Sequence, residues 1–437
     1  MATLYTNNAS TTLASGITNS ATSLTVTSGN GTKFPSPTGI DYFMCTLQGA
    51  SGTPIEIIKV TARSTDTFTI VRAQEGTTAS AFNANDIVEL RVTAAEMTQI
   101  NQLGQGNASM LKNRVINGQM VIDQRNAGAS VTPTNGAYTL DRWQAALSQS
   151  SKFSVQQNAG SVTPPVGFTK YLGVTSLSAY SVGISEVFNV QQVIEGFNIA
   201  DLGWGTANAK TVTLSFQVYS SLTGTFGGAL RNGAGNRSYP FSYSIPVANT
   251  WTSISVPIVG DTSGTWTTDN TAGLYIRFGL GVGSTFSGTA GSWSANDYYS
   301  ATGAVSVVGT SGATFYITGV QLEVGSSATG FEYRVYSTEL ANCQRYCQWL
   351  PFDVQFTASA ASSVLGISVP YKVTMRIVPS FTSVSADPNT AQAVLNNSTN
   401  AFVVSYSGVE AGVAQLLSAN SGNSYVLGYR SLATAEL

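Results

Sequence analysis

The chain has 437 residues, of which 43% are hydrophobic and only 10% are charged; its net charge is −2 and it contains no histidine. This length has room for several domains, and a charge content below the typical value of about 25% means that uncharged polar side chains must keep the surface soluble. The composition argues against nucleic acid as a partner, because phosphate binding needs clustered Lys and Arg, and the absence of histidine excludes Ser-His and Cys-His catalysis.

Residues 1–93 are predicted to form a small β-barrel or β-sandwich. Short runs there alternate apolar and polar residues and are separated by Gly, Pro and Asn turns. The apolar positions are Leu24, Val26, Ile55, Ile57, Phe68, Ile70, Val88, Leu90 and Val92. The start of the chain lacks the features of a signal peptide, and no apolar run approaches the ~18 residues of a membrane helix. We therefore expect neither secretory export nor membrane insertion.

Residues 94–112 are predicted to contain a short linker helix. Thr93 and Glu96 have the spacing of a capping box, and Gly104 is a suitable stop. One apolar stripe runs along this helix, at Met97, Ile100 and Leu103. The stripe packs on a neighbouring element or, alternatively, forms a neck where three chains meet; one short helix does not establish a coiled coil.

Residues 113–336 are predicted to form a central antiparallel sandwich. Several runs alternate strictly between apolar and polar residues, as strands do with one buried and one solvated face. Their apolar positions are Val212, Leu214, Phe216 and Val218; Ile254, Val256 and Ile258; and Leu274, Ile276, Phe278 and Leu280. Two stretches rich in Gly, Ser, Thr and Asn, residues 222–238 and 282–300, are predicted to be long loops.

In residues 314–349 the spacing of the apolar residues changes from two to three or four. This stretch is predicted to connect the central sandwich to the C-terminal part of the chain, and we call it the joint. Residues 315–324 alternate like a half-buried strand, with Gly319 where the alternation slips by one residue, which is typical of a β-bulge. Apolar residues then recur three and four apart, at Leu340, Cys343, Tyr346, Cys347 and Leu350. This spacing predicts a short helix that is capped by Ser337 and stopped by Pro351.

Residues 337–437 are predicted to comprise this helix and a C-terminal β-sandwich. Three runs with apolar residues at every second position predict its strands. They are Leu365, Ile367 and Val369; Val373, Met375 and Ile377; and Tyr425, Leu427 and Tyr429. The whole chain is therefore predicted to be all-β, with two short helices.

The residues of the joint are expected to be structural. The three cysteines, Cys45, Cys343 and Cys347, do not suggest a disulfide framework, because the first is remote and the other two lie one predicted helical turn apart. Buried free thiols suit folding in a reducing compartment. Glu332 and Arg334 are expected to anchor the chain through ion pairs, since Arg is suited to bidentate anchoring.

No phosphate loop, dinucleotide fingerprint, nucleophile elbow or zinc-ligand spacing is present. We therefore expect no cofactor, no metal and no catalytic residue. A glycosidase would need two carboxylates about 5 to 10 Å apart. The candidates for such a pair are Asp261, Asp269, Asp297, Glu186 and Glu195. Isolated Asp residues beside Gly, Asn and Thr are usually turn formers, so hydrolysis is the less favoured alternative.

Noncovalent binding of a sugar does not need the pair of catalytic carboxylates that its hydrolysis needs. Aromatic rings match the C–H faces of sugars, and Asn, Asp or Gln side chains match their hydroxyls. The candidate carbohydrate-binding residues are Trp266, Trp293, Asn296, Asp297, Tyr298 and Tyr299. The alternative is a structural role, in which these rings fill sheet edges or subunit contacts.

Three segments of the chain resemble proteins of one kind. They read N-R-V-I-N-G-Q-M-V-I-D-Q-R-N-A-G from Asn113, G-V-Q-L-E-V-G from Gly319, and F-E-Y-R-V-Y-S-T-E-L-A-N-C-Q-R-Y from Phe331. Together they resemble the opening and closing segments of a jelly-roll domain that recurs in tail fibre and tail-appendage proteins of tailed bacteriophages. The segments E-I-I-K-V-T-A-R from Glu56 and D-I-V-E-L-R from Asp86 resemble amino-terminal modules of phage tail proteins, which implies that residues 1–93 serve as the attachment end. The segment P-Y-K-V-T-M-R-I-V-P-S from Pro370 and the terminal A-E-L resemble, more loosely, the distal domain that follows the jelly roll.

This resemblance implies a virion tail protein that folds in the cytoplasm of the host bacterium before lysis. Its expected function is noncovalent recognition of a host-surface glycan, and its expected partners are other tail or baseplate proteins and two further copies in a homotrimer. Two alternatives remain: a purely structural virion component, such as a tail adaptor or head decoration, and a carboxylate-based polysaccharide depolymerase.

Overall fold

The computed structural model describes residues 3–98, 111–357, 364–385, 402–406, 411–417 and 424–437. The chain divides into two compact units, Met1–Gln105 and Gly106–Leu437. Both are built mainly from antiparallel sheets, which confirms the predicted all-β fold. Among the described residues, no helix has the length and apolar character needed to span a lipid bilayer.

The first unit contains one six-stranded sheet whose two ends meet. Its strands are β1 (Ser10–Thr12), β2 (Ser23–Thr25), β3 (Phe43–Gln48), β4 (Ile55–Ser64), β5 (Thr67–Gln74) and β6 (Ile87–Glu89), with a 3-10 turn at Gly31–Lys33. The order across the sheet is β1-β6-β3-β4-β5-β2. A bridge between Leu13 and Val26 joins its two edges. The core inside includes Phe34, Phe43 and Phe68, whose ring centroids lie 5.1 to 6.0 Å apart.

The buried face of β4 differs from the sequence expectation. Ile55 is half exposed and Ile57 only partly buried, whereas Glu56 and Ile58 are fully buried. The carboxylate of Glu56 is held inside by Arg72, whose Nη2 lies 2.6 Å from Oε2. The apolar positions Ile55 and Ile57 therefore lie on the more exposed face of β4, and its buried face carries Glu56 and Ile58.

Residues 94–98 are helical and begin at the predicted capping box. The backbone N–H of Thr93 donates to the Glu96 carboxylate at 3.0 Å, and the N–H of Glu96 donates to the Thr93 hydroxyl at 3.3 Å. These reciprocal bonds satisfy donors that a helix start leaves unpaired. The other positions of the predicted helix lie outside the described residues: Ile100, Leu103 and Gly104.

The body of the second unit is a sandwich of two five-stranded antiparallel sheets. Its strands are β7 (Trp143–Leu147), β8 (Phe153–Gln157), β9 (Leu172–Ser176), β10 (Val187–Glu195), β11 (Val212–Ser220), β12 (Gly224–Asn232), β13 (Ser238–Ile245), β14 (Thr252–Ile258), β15 (Ala272–Val282), β16 (Ser287–Gly288), β17 (Ser300–Ala301) and β18 (Thr314–Val324). The first sheet has the order β13-β12-β15-β10-β7 and the second β14-β11-β18-β9-β8, while β16 and β17 pair separately. The chain crosses repeatedly between the sheets, as in a jelly roll. Single 3-10 turns lie at Ala159–Ser161, Gly196–Asn198, Ala200–Leu202 and Ser284–Phe286.

The three alternating runs of the body were predicted correctly, but one predicted loop was wrong. The apolar residues of β11, β14 and β15 belong to the core between the two sheets. Within residues 222–238, however, β12 forms an inner strand of the first sheet. Phe226 and Leu230 reach the core, and a Cβ on Gly227 would lie 2.5 Å from the Ser300 hydroxyl. The glycines there allow β17 to pack closely on the sheet rather than making a flexible loop.

The helix of the joint is shorter than predicted. Helix α1 (Tyr336–Gln344) begins after Val335, and the Ser337 side chain makes no cap bond. The next strand, β19 (Cys347–Thr357), includes Pro351, so the predicted cap and stop are both wrong. Pairing with another strand overrides the helical spacing after Gln344, and β19 lies at a sheet edge, where proline is tolerated.

The remaining strands form two three-stranded sheets. They are β20 (Val364–Pro370), β21 (Ser380–Ser385), β22 (Phe402–Tyr406), β23 (Ala411–Leu417) and β24 (Ser424–Thr434). The sheets have the orders β19-β24-β21 and β20-β23-β22. The strand predicted at Val373, Met375 and Ile377 is absent, because the Gln348 side chain binds the backbone N–H of Lys372 and the carbonyl of Val373.

The predicted bulge at Gly319 is confirmed. Ser215 of β11 pairs with Gln321 of β18 and Gln217 pairs with Thr318, so two residues of β18 oppose one residue of β11. Gly319 has φ +61°, and a Cβ there would lie 2.6 Å from the ring of Phe168. Glycine therefore supplies both the left-handed conformation and the space for that ring.

Gly319→Ala should destabilise the protein by about 3 kcal/mol, because backbone strain is added to displacement of the Phe168 ring. Gly312→Ala is the matched control, since Gly312 has φ +73° and open space at the Cβ position; it should cost only about 1 kcal/mol. Unfolding in denaturant measures both free energies, and equal losses would contradict the steric role of Gly319.

Candidate functional site

The two predicted sugar-binding tryptophans pack together at one end of the sandwich. Trp266 and Trp293 lie 5.6 Å apart, nearly perpendicular, and both contact the buried ring of Trp204, at 4.7 and 5.4 Å. Their indole N–H groups donate to the backbone carbonyls of Ser263 and Val259. Both rings are partly buried against the core. This packing supports the structural alternative for the two tryptophans.

The other four candidates lie beside each other on the outer face of the first sheet. They are Asn296, Asp297, Tyr298 and Tyr299. The Asp297 carboxylate binds Arg277 at 2.6 Å and Arg231 at 3.2 Å. The Arg277 guanidinium lies 3.5 Å from the ring centroid of Tyr299, and the Asn296 amide donates to the Tyr298 hydroxyl at 2.9 Å. These contacts hold the segment onto the sheet, and a role of all six residues in sugar binding stays a prediction.

The joint residues Glu332 and Arg334 make the expected ion pair. Arg334 Nη2 lies 2.9 Å from Glu332 Oε2, and Nη1 lies 3.3 Å from Glu339 Oε2. Arg334 also donates to the carbonyls of Asn113 and Val115. One guanidinium therefore ties the chain after β18 and the first turn of α1 to the segment that opens the body.

The three cysteines are buried and free, as expected. Cys343 lies in α1 and Cys347 begins β19, so the two are not one helical turn apart. Burial raises the pKa of all three thiols, Cys45 included. They are therefore protonated and unreactive near neutral pH.

A buried ion cluster ties Glu436 to the body. Arg125 Nη2 binds the Glu436 carboxylate at 2.6 Å, and Arg142 binds its other oxygen. Arg142 is 1% exposed and also lies over the ring of Tyr346. A buried guanidinium without a counter-charge would be strongly destabilising. We call the group of Arg125, Arg142 and Glu436 the Glu436 clasp.

Asp141 adjoins the Glu436 clasp but does not pair with Arg142. Its two carboxylate oxygens accept hydrogen bonds from the backbone N–H and side-chain amide of Gln124, at 2.6 and 2.7 Å. Burial raises the pKa of Asp141 to about 6, against the opposing charge of Arg125. The carboxyl group thus changes its charge close to neutral pH.

A groove that the sequence analysis missed lies on the outer face of the second sheet. One wall consists of Phe168, Phe331 and Tyr333, whose ring centroids are 5.1 to 5.8 Å apart. Its floor consists of side chains from β11 and β14, namely Ser215, Gln217, Ser253 and Ser255. The cavity has a volume of ≈ 340 Å³, within the range of small-molecule sites. We call it the aromatic groove.

The floor of the aromatic groove presents polar groups toward a ligand. Ser253 donates to the Gln217 side-chain oxygen at 2.9 Å, which leaves the Gln217 amide nitrogen without a partner among the described residues. The hydroxyls of Ser215 and Ser255 likewise have no hydrogen-bond partner among the residues that the structure describes. Free hydroxyl and amide groups therefore lie beside aromatic rings.

Glycines position the aromatic wall. Phe168 packs over Gly319, and a Cβ on Gly167 would lie 2.5 Å from the Tyr333 hydroxyl. The available sequence signal was a glycine followed by an aromatic residue, at residues 167–168 and again at 330–331. Tyr333 belongs to the joint in the sequence, and 57% of this residue is exposed in the structure.

The five candidate carboxylates are all engaged within the protein. Three bind an arginine at 2.6 to 2.9 Å, namely Asp261, Asp297 and Glu195. A hydrogen bond from the Gly183 N–H lowers the pKa of Glu186, and one from the Thr271 hydroxyl lowers that of Asp269. A general acid needs the opposite shift. Within the described residues, no three Cys, Asp or Glu side chains cluster as metal ligands would.

Comparison with known proteins finds similar solved structures but no relative by sequence. No protein-family model matches this chain, and no curated protein matches it. The enzymatically active domain of tailspike protein 4 of bacteriophage CBA120 is 14% identical over 49% of this chain and 21% of its own, with a TM-score of 0.27. The module TmCBM61, solved with β-1,4-galactotriose, is 8% identical over 49% of this chain and 99% of its own, with a TM-score of 0.25.

A putative sugar-binding protein from Bacteroides thetaiotaomicron is 11% identical over 49% of this chain and 100% of its own, with a TM-score of 0.29. This chain thus spans about a fifth of the tailspike chain and nearly all of the two smaller proteins.

Asp141→Asn should remove part of the pH dependence of stability. The folded-state pKa of about 6 lies above the ordinary value of 3.8. The stabilising contribution of Asp141 to the free energy of unfolding is therefore fully present below pH 3.8 and is lost as pH rises through 6. Relative to the wild type, the variant should therefore gain about 1.4 kcal/mol between pH 5 and pH 8, because about one pH unit of this loss lies above pH 5. Unfolding in denaturant across this range measures the difference.

Asp269→Asn is the control for this experiment. The pKa of Asp269 is lowered, so this group stays ionised from pH 5 to pH 8 and the difference from the wild type should remain constant. A constant difference for Asp141→Asn as well would contradict the raised pKa.

Proposed function

We propose that this protein is a tail fibre or related appendage of a tailed-bacteriophage virion and binds a polysaccharide of the bacterial surface noncovalently. The observation that carries the proposal is the aromatic groove, where three rings lie beside free hydroxyl and amide groups. Sugar rings have apolar C–H faces and a rim of hydroxyls, so they match both the wall and the floor. The resemblance of the quoted sequence segments to phage tail proteins supports the biological setting.

Binding without cleavage is part of this proposal. The candidate carboxylates are engaged by arginines or by hydrogen bonds, and none of them lines the aromatic groove. A purely structural virion component is the alternative, and the experiment below separates the two.

The assembly follows from the same resemblance. Residues 1–93 attach the protein to the tail or baseplate, the body presents the aromatic groove, and residues 337–437 lie distal. Three chains form a homotrimer that folds in the host cytoplasm before lysis. Weak sites repeated on a symmetric appendage then add through a high effective concentration.

Tyr333→Ala should weaken polysaccharide binding about tenfold, which corresponds to about 1.4 kcal/mol. The change removes the most exposed ring of the wall and leaves the core intact. Titration calorimetry with capsule and lipopolysaccharide extracted from a panel of bacteria measures the affinity of the intact protein. Tyr336→Ala is the matched control, because Tyr336 is 61% exposed on α1 and lies outside the aromatic groove.

Two results would contradict this assignment. Loss of affinity in Asn296→Ala with none in Tyr333→Ala would move the site to the residues first predicted from the sequence. An absence of binding to any extracted polysaccharide or to any bacterium of the panel would favour the structural alternative.

Removal of residues 1–93 should prevent incorporation into virions and leave polysaccharide binding unchanged, because the aromatic groove lies wholly within the second unit.

Light scattering of the intact protein should give the mass of three chains of 45.6 kDa each. Virions that still carry the truncated protein, or a mass near that of one chain, would each overturn the corresponding part of the assembly.

A further inference from the structure

Two aromatic side chains lie next to the aromatic groove on the outer face of the second sheet, further along β11 and β14. In β11 and β14, Gln217 pairs with Ser253 and Ser215 pairs with Ser255. Side chains two residues apart in a strand share a face. The outward-facing side chains, in order along the two strands, are therefore Tyr219 and Trp251, then Gln217 and Ser253, then Ser215 and Ser255. One aromatic row is followed by two polar rows.

The aromatic row is held in place by buried neighbours. Tyr219 stacks on the buried Tyr316 at 5.3 Å with an interplanar angle of 8°, and Trp251 contacts the buried Tyr171 at 5.5 Å. The Trp251 indole donates to the carbonyl of Thr163 at 2.8 Å. Tyr219 and Trp251 themselves remain partly exposed, 5.5 Å apart. Their rings are thus ordered before a ligand arrives, which lowers the entropic cost of binding. We call Tyr219 and Trp251 the aromatic ledge.

No charged side chain belongs to the aromatic ledge or lines the aromatic groove. Among the charged groups of neighbouring segments, Glu323 accepts hydrogen bonds from Thr329, Glu332 pairs with Arg334, and Lys112 donates to a backbone carbonyl, while Lys170, between Phe168 and Tyr171 in sequence, does not line the aromatic groove. A carboxylate or phosphate on the ligand would lose water here without gaining a counter-charge, which is costly. Uncharged sugar rings would avoid this cost.

We infer that the aromatic ledge and the aromatic groove form one extended site for an uncharged polysaccharide chain that lies along β11 and β14. The inference rests on the proposed function and names its ligand class. Rows two residues apart are separated by about 7 Å along a strand, so the first and last rows lie about 14 Å apart. This length exceeds one sugar ring, so different rings of one chain occupy the ledge and the groove.

The first test compares polymers of different charge. The intact protein is passed over immobilised dextran, mannan, galactan and xylan, which are uncharged, and over alginate and polygalacturonate, which are polyanions. Binding to an uncharged polymer that persists at high salt is the expected result. Preferential binding to the polyanions would overturn the inference and leave the proposed function standing, whereas binding to no polysaccharide, including the bacterial extracts above, would overturn both.

The second test uses chain length. A ladder of oligosaccharides, prepared by partial hydrolysis of the uncharged polymer that binds, is titrated against the wild type and three variants. Affinity should rise with length in the wild type. Trp251→Ala should remove that gain, about tenfold on long oligosaccharides, and leave the affinity for short ones unchanged, whereas Tyr333→Ala should weaken both.

Tyr219→Leu is the third variant and covers a failure of Trp251→Ala to fold, since leucine keeps apolar bulk but not the aromatic face; it should also remove the length dependence. Thermal unfolding of each variant verifies the fold before titration. Affinity that does not depend on length, or a length dependence that survives both ledge variants, would contradict the extended site without touching the proposed function.

Discussion

The body of this protein depends on the bulge at Gly319. Before the bulge, Phe315 and Ile317 of β18 face the core, and after it Val320 and Leu322 do so. The inward positions change from odd to even numbers, which a regular strand with a period of two cannot do. The extra residue restores the alternation, so both halves of the strand can bury apolar side chains. Because β18 is the middle strand of its sheet, packing of the sandwich depends on this single irregularity.

The same bulge creates the candidate site. The missing Cβ of Gly319 gives space to Phe168, against which Phe331 and Tyr333 pack. The outer face of the sheet thereby gains an aromatic wall beside a floor of serine and glutamine. A constraint on the core and a feature of the surface therefore have one cause.

Several ion pairs join segments that are distant in sequence. Arg334 joins the end of the body to its opening segment, and the Glu436 clasp joins the last residues to Arg125 and Arg142. Such pairs position segments because a broken buried pair is costly. The lining of the aromatic groove contains no charged side chain, in keeping with the low charge content of the composition.

Local patterns in the sequence were sufficient where one strand face is buried and the other is solvated. The alternation in β11, β14 and β15, the capping box at Thr93 and the slip at Gly319 were all recognisable, because each depends on neighbours within a few residues. Patterns failed where a distant partner decided the outcome. Arg72 draws Glu56 inward, pairing with β24 turns the predicted end of a helix into β19, and close packing of β17 makes a strand of a glycine-rich stretch.

The candidate site shows the same difference between what local patterns predict and what distant contacts decide. Alternation and composition were enough to predict an all-β chain with few surface charges and with aromatic residues in polar segments. Which aromatic residues face a groove depends on the folded arrangement: Trp266 and Trp293 pack on Trp204, while Phe331 and Tyr333 pack on Phe168. A ring in a loop is compatible with both outcomes until segments that are distant in the sequence fold against it.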